Sequence, residues 1–148
     1  MRTTPASLAA GMIFMLSALP GFAQETKAKD QPIAVQMYTL RNVPSLEERL
    51  KIVHDAGIHA VETVGTQDVS AAELKTLLDR YQITPVSTHA ALADLRKDLD
   101  GVVAFNRAIG NTTLVVPYLP DDQRPHDAAG WSALGHEIGE ISKRVKAK

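Results

Sequence analysis

Four short runs rich in Val, Ile, Thr and Tyr, at residues 33–38, 59–64, 83–89 and 112–118, recur about every 25 residues, each followed by a helical pattern. Strands spaced this way belong to one parallel sheet, because a parallel connection must cross the sheet face and a helix covers that face as it crosses. The first helical stretch places Leu46, Leu50 and Val53 on one side, with Ser45 and Glu48 spaced as a capping box and Gly57 as its stop. The second repeats the device with Ser70 and Glu73, and its apolar stripe is Leu74, Leu77, Leu78 and Tyr81. A third helix is predicted over residues 94–109, ending at Gly110, and a fourth starts near Asp127 with Trp131, Leu134, Ile138, Ile141 and Val145 as its core side. The class is α/β with a parallel sheet. Periodicity alone leaves open whether four such units form an open doubly wound sheet or part of a closed barrel, since both bury their strands under helices.

Ahead of this pattern stand Arg2, an apolar run from Leu8 to Leu19, and Pro20-Gly-Phe-Ala23. That is the layout of a secretory signal peptide, residues 1–23, cleaved after Ala23. Residues 24–32 read as a polar linker, and residues 33–148 as the folded part. The apolar run is shorter than the roughly 20 residues a bilayer span needs, so no stable membrane span is expected after processing. The reading is of an exported protein, periplasmic or secreted. With no Cys in 148 residues, no disulfide can help the fold, and any metal must be held by His, Asp or Glu. A net charge of −1 with no basic stripe gives no surface for tracking phosphates, which excludes nucleic acid as a partner.

In a parallel α/β sheet the functional groups sit at the C-terminal ends of the strands. Those ends offer Gln36, Tyr38 and Arg41, then Glu62, then Ser87 and His89, then Pro117 and Tyr118. No Gly-rich loop follows the first strand, so a dinucleotide or P-loop site lacks its phosphate cradle. There is also no His-Glu-x-x-His, no Gly-x-Ser-x-Gly and no cysteine nucleophile. Glu62 interrupts a strand expected to be buried on both faces, where an acid is costly unless paired, ligated or open to a cleft. It is either a salt-bridged strand-end carboxylate or a substrate-facing acid or base. His89 is likewise either a hydrogen-bonded core histidine or its partner: neighbouring strands lie about 4.8 Å apart, so the two could share a cleft and handle a proton or a sugar hydroxyl. Gln36, Tyr38, Arg41 and Tyr118 are the candidate substrate contacts, Tyr38 and Arg41 being equally readable as packing and solvated loop residues. His54, His126 and His136 read as surface residues.

Gln36-Met-Tyr-Thr-Leu-Arg41, Ala56-Gly-Ile-His-Ala-Val-Glu62, Val86-Ser-Thr-His-Ala90 and Leu114-Val-Val-Pro-Tyr-Leu-Pro120 together resemble the opening of the xylose-isomerase-like barrel family, the sugar phosphate isomerase/epimerase group. The resemblance implies a (β/α)8 TIM barrel that isomerises, epimerises or dehydrates a sugar, sugar phosphate or polyol. It implies a divalent metal, Mn, Mg, Co or Zn, whose ligands come mostly from the later strands. By position, Glu62 and His89 fall where members place substrate-contacting polar groups, with Tyr38 beside them. A complete barrel takes about 250 residues, so residues 33–148 are expected to be its N-terminal half, about four βα units, truncated before the metal-ligand strands.

Such a half barrel leaves its first and last strands as edges and exposes apolar interior side chains such as Val35 and Val115 on one face or the other. Two readings stay open: a homodimer or a complementing second chain completes the barrel, or the chain is a truncated reading frame or gene fragment whose product is unstable. The function expected is that of an isomerase/epimerase-family protein acting on a small-molecule sugar or polyol, the alternative being a non-catalytic fragment or carbohydrate-binding module. Export favours a free sugar over a phosphorylated one, because sugar phosphates are mostly cytoplasmic.

Overall fold

A computed structural model describes residues 33–147, so the signal peptide and linker read from the sequence lie outside the described residues. The strands are β1 (Val35–Gln36), β2 (Ala60–Val64), β3 (Thr84–His89) and β4 (Leu114–Val115). The helices are α1 (Leu46–Asp55), α2 (Ala71–Arg80), α3 (Leu92–Lys97), α4 (Leu99–Ala108) and α5 (Ala128–Lys146). All strand pairs are parallel and their order in the sheet is β1-β2-β3-β4. The chain is thus a run of βα units feeding one parallel sheet, as the spacing predicts.

Each long helix is started by a side chain that the sequence places just ahead of it. Ser45 and Ser70 accept hydrogen bonds from the backbone N–H groups of Glu48 (3.3 Å) and Glu73 (3.2 Å). Asp98 and Asp127 do the same for Gly101 (2.8 Å) and Gly130 (2.7 Å). Three helices stop by the same device. Gly57, Gln82 and Gly110 adopt left-handed φ angles of 74°, 53° and 84°. The N–H of the residue after each reaches back to a carbonyl in the last turn: Ile58 to Val53, Ile83 to Leu78, Asn111 to Asn106. This closure consumes orphan carbonyls and aims the chain straight into the next strand.

The helix spanning residues 94–109 in the sequence reading is two helices in the structure. Asp98, at φ −151° and ψ 72°, ends α3 and caps α4. A short acid that satisfies a free N–H competes with helix continuation, and here it wins. Asp98→Ala is expected to cost about 1 kcal/mol of stability through loss of this cap, measurable by urea denaturation. Further on, Arg96 of α3 makes a two-pronged pair with Glu137 of α5, at 2.6 and 2.7 Å. Those hydrogen bonds hold the Glu137 carboxyl below its ordinary range.

Helices cover one face of the sheet. Met37, Leu50, Val53, Val61, Leu74, Leu78, Ile83 and Ile109 form the main core, and Ala90, Leu95, Leu99 and Val103 a second cluster. Val35 packs against the first and Leu114 against the second, so both belong to the helix-facing side. Val115, paired with His89 in register, therefore falls on the opposite side by alternation. Trp131, assigned to the core from its spacing, is instead 50 % exposed, whereas Leu134 is buried. With Ile138 (38 % exposed) it forms the exposed flank of the apolar stripe whose other flank, Leu134, Ile141 and Val145, is packed. No helix among the described residues is long and apolar enough to cross a membrane.

Candidate functional site

Register decides which polar residues meet. Gln36 pairs with Glu62 and Glu62 with Ser87, while Val61 pairs with Pro85. Between Pro85 and Ser87, β3 therefore carries one extra residue, Val86, opposite nothing on β2. Without that bulge Glu62 would lie beside Val86, a residue that can offer its carboxylate nothing; with it, a hydroxyl stands there instead. Strand alternation then puts Gln36, Glu62, Ser87 and His89 on the side of the sheet away from the helices, while Val61, Thr63 and Thr88 are buried beneath the helices.

The four polar side chains on this inner face form one chain of hydrogen bonds. Ser87 Oγ donates to Glu62 Oε2 at 2.5 Å. His89 Nε2 lies 2.7 Å from Glu62 Oε1, and Gln36 Nε2 lies 3.2 Å from His89 Nδ1. The side chains of His89 and Glu62 remain 18 % and 22 % exposed, so the pair is neither loose on the surface nor sealed in the core. Such half-buried, hydrogen-bonded carboxylates resist distortion yet can still meet a solute, which suits proton handling or recognition of a hydroxyl.

The other sequence candidates stand apart from this cluster. Tyr38 is not the last residue of a strand: β1 ends at Gln36, and Tyr38 sits in the 3-10 turn Met37–Leu40 with 55 % of its surface exposed. Alternation therefore does not carry it onto the inner face beside Gln36. Arg41 stacks on it, its guanidinium carbon 4.6 Å from the ring centroid, and donates to the Tyr38 carbonyl. Tyr118 follows β4 in irregular backbone and is 66 % exposed. Of the six candidates, the structure brings Gln36, Glu62 and His89 together and leaves Tyr38, Arg41 and Tyr118 outside that cluster.

Tyr38 and Arg41 instead line a cleft of about 770 Å³ beside the 65–68 loop and α4, together with Asp68, Lys97, Phe105 and Asn106. This cleft contains neither Glu62 nor His89. Its charges balance, with Arg41, Arg49 and Lys97 against Asp68, Asp94 and Asp98, so it selects no ligand charge. The convergent polar groups on the inner face are therefore a stronger candidate for a chemical site than this outer cleft.

A second polar network lies under the helices and is absent from the sequence reading. Thr63 and Thr88 share a hydroxyl hydrogen bond of 2.6 Å, and Asn111 Nδ2 donates to Thr88 Oγ1 and Asn106 Oδ1, both at 2.9 Å. Asn106, on the α4 pattern, and Asn111, directly after Gly110, are the only local trace of it.

The donor set does not make a metal site by itself. Among the described residues no group of three or more His, Asp or Glu side chains is placed to hold an ion. Both Glu62 oxygens and both His89 nitrogens are already engaged by protein groups.

No family model matches the sequence, and no curated protein matches it significantly. Solved structures do. A xylose isomerase domain-containing protein from Salmonella typhimurium LT2 superposes with a TM-score of 0.59 at 15 % identity, over 77 % of this chain and 46 % of that one. A sugar phosphate isomerase/epimerase from Parabacteroides distasonis ATCC 8503 gives 0.55 at 17 % identity, over 86 % of this chain and 53 % of that one. This chain thus spans about half the length of each. At such identity the likeness is one of fold, and the fold of residues 33–147 is a four-unit βα sheet matching about half of a xylose-isomerase-type TIM barrel.

Proposed function

We propose that this chain supplies one half of a barrel that binds a sugar or polyol on its inner face and moves a proton there, as an isomerase or epimerase does. The observation that carries this reading is the Gln36–His89–Glu62–Ser87 chain of hydrogen bonds, which presents a held carboxylate on the uncovered side of the sheet. A carboxylate so placed can accept a sugar hydroxyl, or take a proton from a carbon next to a carbonyl and return it from the same or the other side. Tyr38, Arg41 and Tyr118, all exposed and outside this cluster, have no part in holding the carboxylate.

The other half of the wall comes, in this proposal, from a second copy of the chain or from a complementing chain. The edges of β1 and β4 have no strand partner among the described residues, and Trp131 and Ile138 stand exposed on α5. The divalent metal that the sequence resemblance implies would draw its ligands from outside residues 33–147. Its chemistry is polarisation of a carbonyl or enediolate oxygen. Export through the N-terminal leader directs the reading toward a free sugar.

The test is solvent exchange. The full chain is incubated in D₂O with a panel of ketoses, aldoses and cyclic polyols, with and without Mn²⁺ or Mg²⁺, and carbon-bound deuterium is measured. Exchange that is lost in Glu62→Gln supports proton movement at this site; the same exchange rate in the variant contradicts it. Binding without exchange favours the second reading, a carbohydrate-binding half.

A further inference from the structure

We infer that Gln36 is a positioning residue that sets the proton arrangement of His89, so that Glu62 alone faces the ligand. This deepens the proposed function and rests on it for the role of Glu62; the hydrogen-bond directions stand on their own. A carboxylate has no proton to give, so the 2.7 Å contact requires the proton to be on His89 Nε2. A neutral imidazole with a proton on Nε2 has a lone pair on Nδ1, and that nitrogen needs a donor. Gln36 Nε2, at 3.2 Å, is that donor. The Ser87 hydroxyl gives its proton to the second Glu62 oxygen. The whole chain therefore runs one way, from the Gln36 amide through the ring to the carboxylate.

Two consequences follow for the chemistry. His89 has no nitrogen left for a ligand, so it orients and polarises Glu62 without touching substrate. Each Glu62 oxygen has accepted one hydrogen bond and can accept another, leaving the carboxylate as the acceptor that a sugar hydroxyl or a departing proton meets. The residue type at position 36 is specific. Gln36 lies on β1 and His89 on β3, two strand spacings apart, roughly 10 Å, so the amide must reach past β2. Asn is one methylene too short for that reach. Met has the length but no N–H, and Glu has the length with the opposite polarity.

The experiment is long-range ¹H–¹⁵N NMR on the full chain with ¹⁵N-labelled histidine, the His89 ring being assigned by its disappearance in His89→Gln. The wild-type ring is expected to show one tautomer at neutral pH, protonated on Nε2 and bare on Nδ1. In Gln36→Met the Nδ1 resonance should move toward that of a nitrogen without a hydrogen bond. In Gln36→Glu the ring should carry protons on both nitrogens, because an acceptor now faces each. The remaining histidine signals serve as the folding control, and sugar affinity should fall about tenfold in Gln36→Met. A wild-type ring protonated on Nδ1, or a ring unchanged in both variants, overturns the inference. Since the NMR readout needs neither ligand nor turnover, it can succeed while Glu62→Gln leaves sugar binding untouched, an outcome that would reject the proposed function and keep the tautomer assignment.

Discussion

Replacing Asn111 with Leu lowers the stability of the chain by about 3 kcal/mol, one of the larger effects of any single substitution outside the apolar core. Asn111 is 1 % exposed and sits at the junction of α4 and β4, just after the left-handed Gly110. Its amide nitrogen serves Thr88 Oγ1, Asn106 Oδ1 and the Thr113 carbonyl, and its oxygen accepts the Thr113 N–H at 3.1 Å. Leu fills the space but orphans the buried Asn106 Oδ1 under the helix layer, at about 1–3 kcal/mol, and also removes the hydrogen bonds made with the Thr113 N–H and carbonyl. The Thr63–Thr88 pair satisfies itself and limits the damage. Urea denaturation is the check: a loss below about 1 kcal/mol would mean that water replaces the amide. Because Asn111 lies on the helix side of the sheet, the inner-face hydrogen bonds should persist wherever the variant is folded.

Glu62→Gln, in contrast, is expected under the proposed function to weaken sugar or polyol binding by about tenfold to a hundredfold and to change stability little. The lost interactions are hydrogen bonds to a charged acceptor, worth about 1.5–3 kcal/mol each. The new amide must also face either the Ser87 hydroxyl or the His89 Nε2–H with an N–H group, so one of them has to turn away. His89→Ala should act in the same direction, since it frees Glu62 to leave its position. Calorimetric titration against the sugar panel, beside denaturation of the same proteins, separates the readings. Equal destabilisation by both variants with unchanged binding would make the pair structural.

The layout of this fold is legible because its signals are local. Ser45, Ser70 and Asp127 cap helices at the places their sequence neighbours predict, and Gly57 and Gly110 end helices for want of a Cβ in the left-handed region. Asp98 misleads for an equally local reason: Leu95, Leu99 and Val102 keep helical spacing across it, so periodicity hides a break made by one side-chain cap. Trp131 shows a further limit, since spacing identifies an apolar stripe and not which flank of it a neighbouring layer will cover.

The site divides along the same line. Place along the expected strands singles out Gln36, Glu62 and His89 as polar groups in an apolar setting, although only Gln36 and His89 end their strands and Glu62 is the middle residue of β2. Their mutual contacts depend on facts no single segment contains. Ser87 stands beside Glu62 only because Val86 is bulged out of the β2–β3 register, and Gln36 meets His89 only by reaching over a strand that is neighbour to both. The turn after Gln36 is likewise a tertiary choice, and it removes Tyr38 from the face on which alternation alone would set it.

The most direct test of the account is to map a bound sugar on the chain itself. Amide and methyl NMR of the full chain would be recorded during titration with the sugar or polyol panel. The account predicts shifts centred on Gln36, Glu62, Ser87 and His89. Shifts confined to the outer cleft around Asp68, Lys97 and Phe105, or none with any member of the panel, would contradict it.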